Sequence, residues 1–290
     1  MSRLGLGTVQ WGMDYGVSNQ AGRTPIEVVS AILSEARDRG VDVLDTAALY
    51  GDAESVLGRN ALGTFRVMTK TPRFAVSTIT HEHASELDEV FHRSLKRLSC
   101  TAVYGLLAHH ADDLLAPGGE QLWRAMSRLK KQGLVEKIGA SIYDGETVDA
   151  LLARFSPDIV QVPLSVLDQR MLLNGQLERL KSRGVEIHTR SAFLQGLLLL
   201  PPERIPVYFE PIAPLLKRWH AAAEEQGLTA IQAALTFVRD VPHVDTVLIG
   251  VESVAQLRAC LVEFESAARF DASELACNDP LFVNPVNWKT

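Results

Sequence analysis

Short runs of Val, Ile and Leu alternate along this chain with longer stretches in which apolar residues recur every three or four positions. The first kind of run predicts a strand buried on both faces, and the second an amphipathic helix. Strand runs are legible at LGLGT (4–8), VDVLD (41–45), FRVMTK (65–70), AVYGLLAH (102–109), VEKIGAS (135–141), PDIVQVP (157–163), VEIHTRS (185–191) and TVLIG (246–250). A first helix is predicted after Thr24-Pro25, with Thr as cap and Pro in the opening turn, ending at Gly40. Others are expected over ESVLGRN (54–60), HASELDEVFHRSLKRLS (83–99), EQLWRAMSRLKKQG (120–133), TVDALLARF (147–155) and MLLNGQLERLKSRG (171–184). In the 83–99 stretch Leu87, Phe91, Leu95 and Leu98 share one face. Further helices fall at 211–226, 229–239 and 253–264, and Gly133 closes the helix before it.

Eight such strand–helix units predict an α/β fold, a closed (β/α)8 TIM barrel forming a single domain over residues 1–290. No Pro/Gly/Ser-rich linker divides the chain. The proline-rich stretch 199–214 is expected as an enlarged rim loop, and the tail 274–290 is expected to pack across the barrel.

Composition narrows the partners. Hydrophobic residues at 47% and charged residues at 22% are those of a globular protein, and a net charge of −6 offers no basic face for nucleic acid. The N-terminus does not read as a signal peptide, and no apolar stretch is long enough to span a membrane. Cys100, Cys260 and Cys277 are scattered and form no CxxC pair, so reduced thiols, a cytoplasmic location and no metal site are expected. His81 and His83 lack a third ligand and are expected at a solvated helix start. Nothing in the sequence specifies an oligomeric state.

Four polar residues follow the predicted strands closely: Asp45 ends VDVLD, Lys70 ends FRVMTK, His109 ends AVYGLLAH, and Tyr50 lies in DTAALYGDAES. Strand ends are where a barrel of this class gathers its chemistry. Singly, each has an ordinary reading: a turn or helix cap, a packed ring, a surface charge, a structural imidazole. Jointly they supply what protonation of a carbonyl oxygen needs. A tyrosine is a weak acid, and a neighbouring ammonium is expected to lower its pKa. Asp45 would hold the ammonium, and an imidazole would orient the carbonyl.

The ordered segments LGLGTVQWG, DTAALYGDAESVLG, VMTKTP, YGLLAHHADDL, IGASIYD and VQVPLSVLDQR resemble the aldo-keto reductases, bacterial members in particular, over nearly the whole chain. The resemblance implies an NAD(P)H-dependent oxidoreductase, without metal, that reduces an aldehyde or ketone, sugars among them. It implies that Asp45, Tyr50, Lys70 and His109 form the catalytic tetrad with Tyr50 as proton donor. His109 is preferred to His110 because it directly follows the strand, and His110 is taken as a surface neighbour. Ser141 and Gln161 match positions that bind the nicotinamide amide, and Trp11 matches an aromatic of the pocket. Arg190, Ser191, Leu194, Gln195 and Gly196 match the loop around the pyrophosphate, with Gly196 allowing close approach.

This chain departs from the family where Ile142 replaces a common Asn and where Cys260 replaces a common adenine contact. Gly250 and Ser253 match the phosphate-end loop. Positions 251, 252 and 256, often basic in NADPH users, hold Val251, Glu252 and Gln256. Glu252 would repel a 2′-phosphate but could accept a bond from a free 2′-hydroxyl. Family habit favours NADPH, with Arg258 as the substitute phosphate contact. NADH is the competing cofactor. A cofactor-binding regulatory barrel with little turnover, or an isomerase or lyase, stays open as an alternative function. The substrate is expected to be set by rim loops 13–24, 111–119 and 199–214, with Tyr15, Phe74, Phe193, Tyr208 and Phe209 as candidate lining.

Overall fold

In the computed structural model eight parallel strands close on themselves in sequence order, β1 to β8. They are Arg3–Gly7, Val43–Asp45, Arg66–Lys70, Val103–Ala108, Val135–Ser141, Ile159–Pro163, Glu186–Arg190 and Thr246–Gly250. The structure describes residues 3–19 and 21–288; residues 1–2, Gln20 and residues 289–290 of the expected tail lie outside it. The register Gly7↔Gly250 seals β1 against β8 and completes the (β/α)8 barrel.

The barrel centre is apolar. Val43, Met68, Leu107, Ile159 and Leu248 meet inside it, while the opposite faces of the strands and the apolar stripes of the helices form the larger outer core. Alternate residues of a strand point to opposite faces. The side chains two residues beyond this apolar plug, Asp45, Lys70, His109 and Gln161, therefore turn toward the C-terminal mouth.

Most predicted helices are present, with local corrections. The helix Ile26–Asp38 is capped by Pro25, not by Thr24, whose hydroxyl is buried without a partner. Gly40 and Gly133 take φ of 73° and 75°, the left-handed conformation that ends a helix at little cost. The stretch 171–184 breaks in two at Asn174-Gly175, giving Arg170–Leu173 and Gln176–Ser182. His83 accepts from the Thr80 backbone in a capping box at the start of the helix His81–Leu98, which gives this histidine a structural role. Among the described residues no group of His, Cys, Asp and Glu is arranged to hold a metal, and no helix is long and apolar enough to cross a membrane. The three cysteines are unpaired.

The segment after β7 is not an open loop. Three 3-10 turns, Leu194–Leu199, Pro202–Arg204 and Val207–Ile212, carry it into a second hydrophobic cluster with Phe209, Trp219, Phe270 and Leu275. Tail residues join the same cluster. Cys277 N–H donates to the Leu167 carbonyl at 2.8 Å, Tyr208 donates to Leu281 and Asn287, and Trp288 packs edge-on to Phe209. Phe209 and Tyr208 are thus packing residues and not cavity lining.

Candidate active site

β2 and β3 end side by side, so Asp45 and Lys70 meet although 25 residues separate them. Both are buried. The Lys70 ammonium donates to Asp45 Oδ1 and Oδ2 at 2.8 and 2.7 Å, to the Thr46 carbonyl at 3.0 Å and to the Tyr50 hydroxyl at 3.3 Å. Asp45 Oδ1 also accepts from Gln161 Nε2 at 2.7 Å. The buried ammonium and the Gln161 amide on one carboxylate fix the lysine by charge-assisted bonds. Burial lowers the Lys70 pKa, and the Asp45 charge opposes the shift.

Tyr50 departs from the expectation that Lys70 lowers its pKa. Burial and the Asp45 charge push its hydroxyl well above the ordinary phenol value, with only Arg190 acting strongly the other way. Burial is the largest cause, and Lys70 is not among the groups that lower the value. Tyr50 therefore keeps its proton at rest, which suits a donor and not a base. His109 completes the group, its ring edge-on to Tyr50 with centroids 5.7 Å apart. Burial, with Lys70 and His110 adding to it, pushes its pKa down to about 2, so it is a neutral imidazole. Its Nδ1 is buried without a partner.

These groups open on a cavity of about 570 Å³ at the C-terminal mouth. Ser141 and Gln161 line it side by side, in register on β5 and β6. Gln161 spends its amide N–H on Asp45, which leaves its oxygen to accept from an amide such as that of nicotinamide. Ser191 and Gly196 also line the cavity, and Ser191, Leu194, Gln195 and Gly196 all have positive φ. A Cβ on Gly196 would lie 1.9 Å from Ser18 Oγ, so the close approach this glycine permits is first of all to the 13–19 loop. Gln195 secures the same contact by accepting from Val17 N–H at 2.9 Å. Gln10, whose Oε1 is buried without a partner, lines the cavity and packs directly against Gly250, where a Cβ would lie 2.2 Å from its Nε2. An elongated ligand with amide and hydroxyl groups, as a nicotinamide dinucleotide has, fits these donors and orphaned acceptors.

Several expected positions fall elsewhere. Trp11 is fully buried and donates to the Val251 carbonyl at 3.0 Å, so it latches the β1 loop to the β8 loop and does not line the cavity. Leu194 belongs to the second hydrophobic cluster. Ser253 caps the helix Val254–Glu265 by accepting from Gln256 N–H. Arg258 is exposed and bound to Glu35 at 2.8 Å. Neither residue lines the cavity, whereas Glu252, Gln256 and Cys260 do. Burial pushes the Cys260 thiol up to about 12, so it is a neutral wall group. Tyr15 and Phe193 line the cavity; Phe74 packs on His83.

Two residues went unremarked or misplaced in the sequence. Tyr143 lines the cavity, and His110, taken as a surface neighbour, stacks between it and His109 at 5.9 and 5.3 Å. Arg190 lies over the Tyr143 ring at 4.0 Å. No sequence signal marks this stack, because its members come from three different strand ends.

A (β/α)8 barrel thus carries a buried acid–lysine–tyrosine group and a neutral histidine beside a cavity at its C-terminal mouth. The chain belongs to the Aldo/keto reductase family, whose model matches residues 3–279, and aldo-keto reductases use NAD(P)H to reduce carbonyl groups. It is 23% identical over 299 residues to the NADH-specific methylglyoxal reductase of Escherichia coli K12, covering 89% of this chain and 88% of that protein. The fold is similar to that of the aldo-keto reductase AKR11C1 of Bacillus halodurans (TM-score 0.75, 21% identity, covering 94% of this chain and 89% of that one). It is also similar to that of the glycerol dehydrogenase AKR11B4 of Gluconobacter oxydans (TM-score 0.70, 20% identity, covering 92% and 88%).

Proposed function

We propose that this protein reduces an aldehyde or ketone to the alcohol, with Tyr50 as proton donor and NADH as hydride carrier. The observation that carries the reading is the buried Lys70 ammonium held at once by Asp45 and Tyr50, two residues that line a cavity together with His109. Ser141 and Gln161 would hold the amide of a reduced nicotinamide, which when bound would supply the hydride for the carbonyl carbon. The electron pair of the C=O π bond moves onto oxygen, and Tyr50 gives that oxygen its proton. Lys70, 3.3 Å away, stabilises the charge that develops on the phenol as the proton leaves. Neutral His109 donates to the carbonyl oxygen and orients it. Water returns the proton to Tyr50 after the alcohol departs.

The family resemblance favours NADPH, but the wall of this cavity favours NADH. At the β8 end it carries Glu252 and Gln256 and no cation among the described residues, while Arg258 is occupied by Glu35. The Escherichia coli relative is NADH-specific by name. Fluorescence titration is expected to give a lower Kd for NADH than for NADPH; tighter NADPH binding overturns the cofactor choice alone. In an assay following NADH absorbance with an aldehyde panel, Tyr50→Phe should lose about 10²–10⁴-fold in turnover and still bind cofactor. A near wild-type rate in that variant sinks the assignment of Tyr50.

A further inference from the structure

The cavity wall carries one lysine or arginine among the described residues, Arg190 at the end of β7. Its charge is not matched by the protein. One Nη donates to the Ile142 carbonyl at 3.2 Å and the other to Ser191 Oγ at 3.5 Å, both neutral acceptors. The guanidinium rests 4.0 Å from the centre of the Tyr143 ring, and its Nε is buried with no partner. Among the described residues no carboxylate oxygen lies within 4.0 Å of it, although nine other arginine side chains bond an acid at 3.2 Å or closer. Lys70, by contrast, has Asp45.

A part-buried cation without an anion is costly unless a ligand completes it. The side chain is also aimed and held. It reaches across β6 toward β5, and the face-to-face series Arg190, Tyr143, His110, His109 ties it to the imidazole beside Tyr50. Its charge acts on Tyr15, Tyr50, Lys70 and His109, all at the reaction end of the cavity. A planar guanidinium so placed matches a carboxylate, which it can grip with two parallel hydrogen bonds.

We infer that Arg190 anchors a carboxylate of the substrate, so that the preferred substrates are short oxo acids whose aldehyde or ketone is presented to Tyr50 and His109. Arg190 is then a specificity-determining residue at the reaction end, not a pyrophosphate contact. The inference rests on the reductase reading and narrows it to a substrate class.

The test compares two acids of different spacing, glyoxylate and succinic semialdehyde, with the neutral aldehydes methylglyoxal and butanal, in wild type, Arg190→Gln and Arg190→Lys. For the better-fitting acid, wild-type kcat/KM should exceed that of its neutral counterpart by about tenfold or more. In Arg190→Gln that acid-to-neutral ratio should fall by about 30-fold or more, carried by KM, with partial recovery in Arg190→Lys. Equal use of acids and neutral aldehydes by the wild type overturns the anchor, as does an unchanged ratio in Arg190→Gln. Weaker NADH binding in Arg190→Gln with no change in the ratio assigns the residue to the cofactor instead. If none of the four aldehydes is reduced, the reductase reading fails, and the anchor is still tested by calorimetric titration of oxamate in the presence of NADH. Binding that Arg190→Gln weakens sustains it; no binding, or binding unchanged by the substitution, overturns it.

Discussion

Both ends of the barrel hold a carboxylate, a lysine, a tyrosine and a histidine, yet only the set at the C-terminal mouth opens on the cavity of about 570 Å³. At the N-terminal end Glu186 accepts from Tyr104 at 2.6 Å, pairs with His188 at 2.7 Å and is bonded by Lys137. Burial raises the Glu186 pKa, but hydrogen bonds from His188, Lys137 and Tyr104 outweigh it and hold the carboxyl well below its usual range. The acid, lysine and tyrosine of this quartet spend their charges and hydroxyl on one another. At the C-terminal mouth Asp45 and Lys70 are equally well paired, but the Tyr50 hydroxyl meets only the lysine and a cavity opens beside them; a buried Nδ1 without a partner, on His109 here and His188 there, is common to both ends. The same residue types make a closed structural cluster where the acid, lysine and tyrosine satisfy one another, and a candidate active site where polar groups face a cavity.

Removing the lysine from each quartet tests this contrast most severely. Lys70→Met should reduce turnover by about 10²-fold or more and destabilise the fold by about 3 kcal/mol, because it leaves Asp45 buried without its cation. Lys137→Met should leave turnover within about threefold and cost roughly 1–2 kcal/mol, since Lys137 is partly exposed and Glu186 keeps two other donors. Steady-state kinetics and urea unfolding of the pair read both effects. Equal losses of activity would erase the distinction between the two ends.

The histidine at the mouth gives a smaller, pH-dependent effect. His109 binds a proton near pH 6.5 when unfolded and only near 2 when folded. Between those values the unfolded state holds more protons, so stability falls as pH falls through this window, by up to about 1.4 kcal/mol per pH unit from this group. From pH 7 to 5 the loss attributable to His109 is about 2 kcal/mol. Urea unfolding at the two pH values should show a shallower pH dependence in His109→Gln than in wild type; parallel curves would show that the imidazole is free to protonate in the fold.

The quartet at the mouth was legible in the sequence because parallel barrels turn strand ends into neighbours, so Asp45, Lys70 and His109 could be placed by finding where apolar runs stop. The helix pattern was legible for the same local reason. What local pattern could not supply was geometry between distant segments. Trp11 reads as pocket lining until the β8 loop offers it the Val251 carbonyl. Arg258 reads as a phosphate contact until Glu35, 223 residues away, is found holding it. The direction of the Tyr50 shift depended on how deeply its hydroxyl is buried and how close it lies to Asp45, which no local pattern states. The proline-rich stretch 199–214 and the residues after 274 each lack a complete core of their own, and their mutual packing is nowhere written in either alone.

The most direct measurement of the central claim is turnover of Tyr50→Phe beside Tyr104→Phe, with NADH affinity measured for both. Each substitution removes one hydroxyl bonded within a lysine-bearing quartet. The account predicts a loss of about 10²–10⁴-fold for Tyr50→Phe with cofactor binding intact, and turnover close to wild type for Tyr104→Phe. A Tyr50→Phe enzyme that reduces aldehydes at the wild-type rate would contradict it.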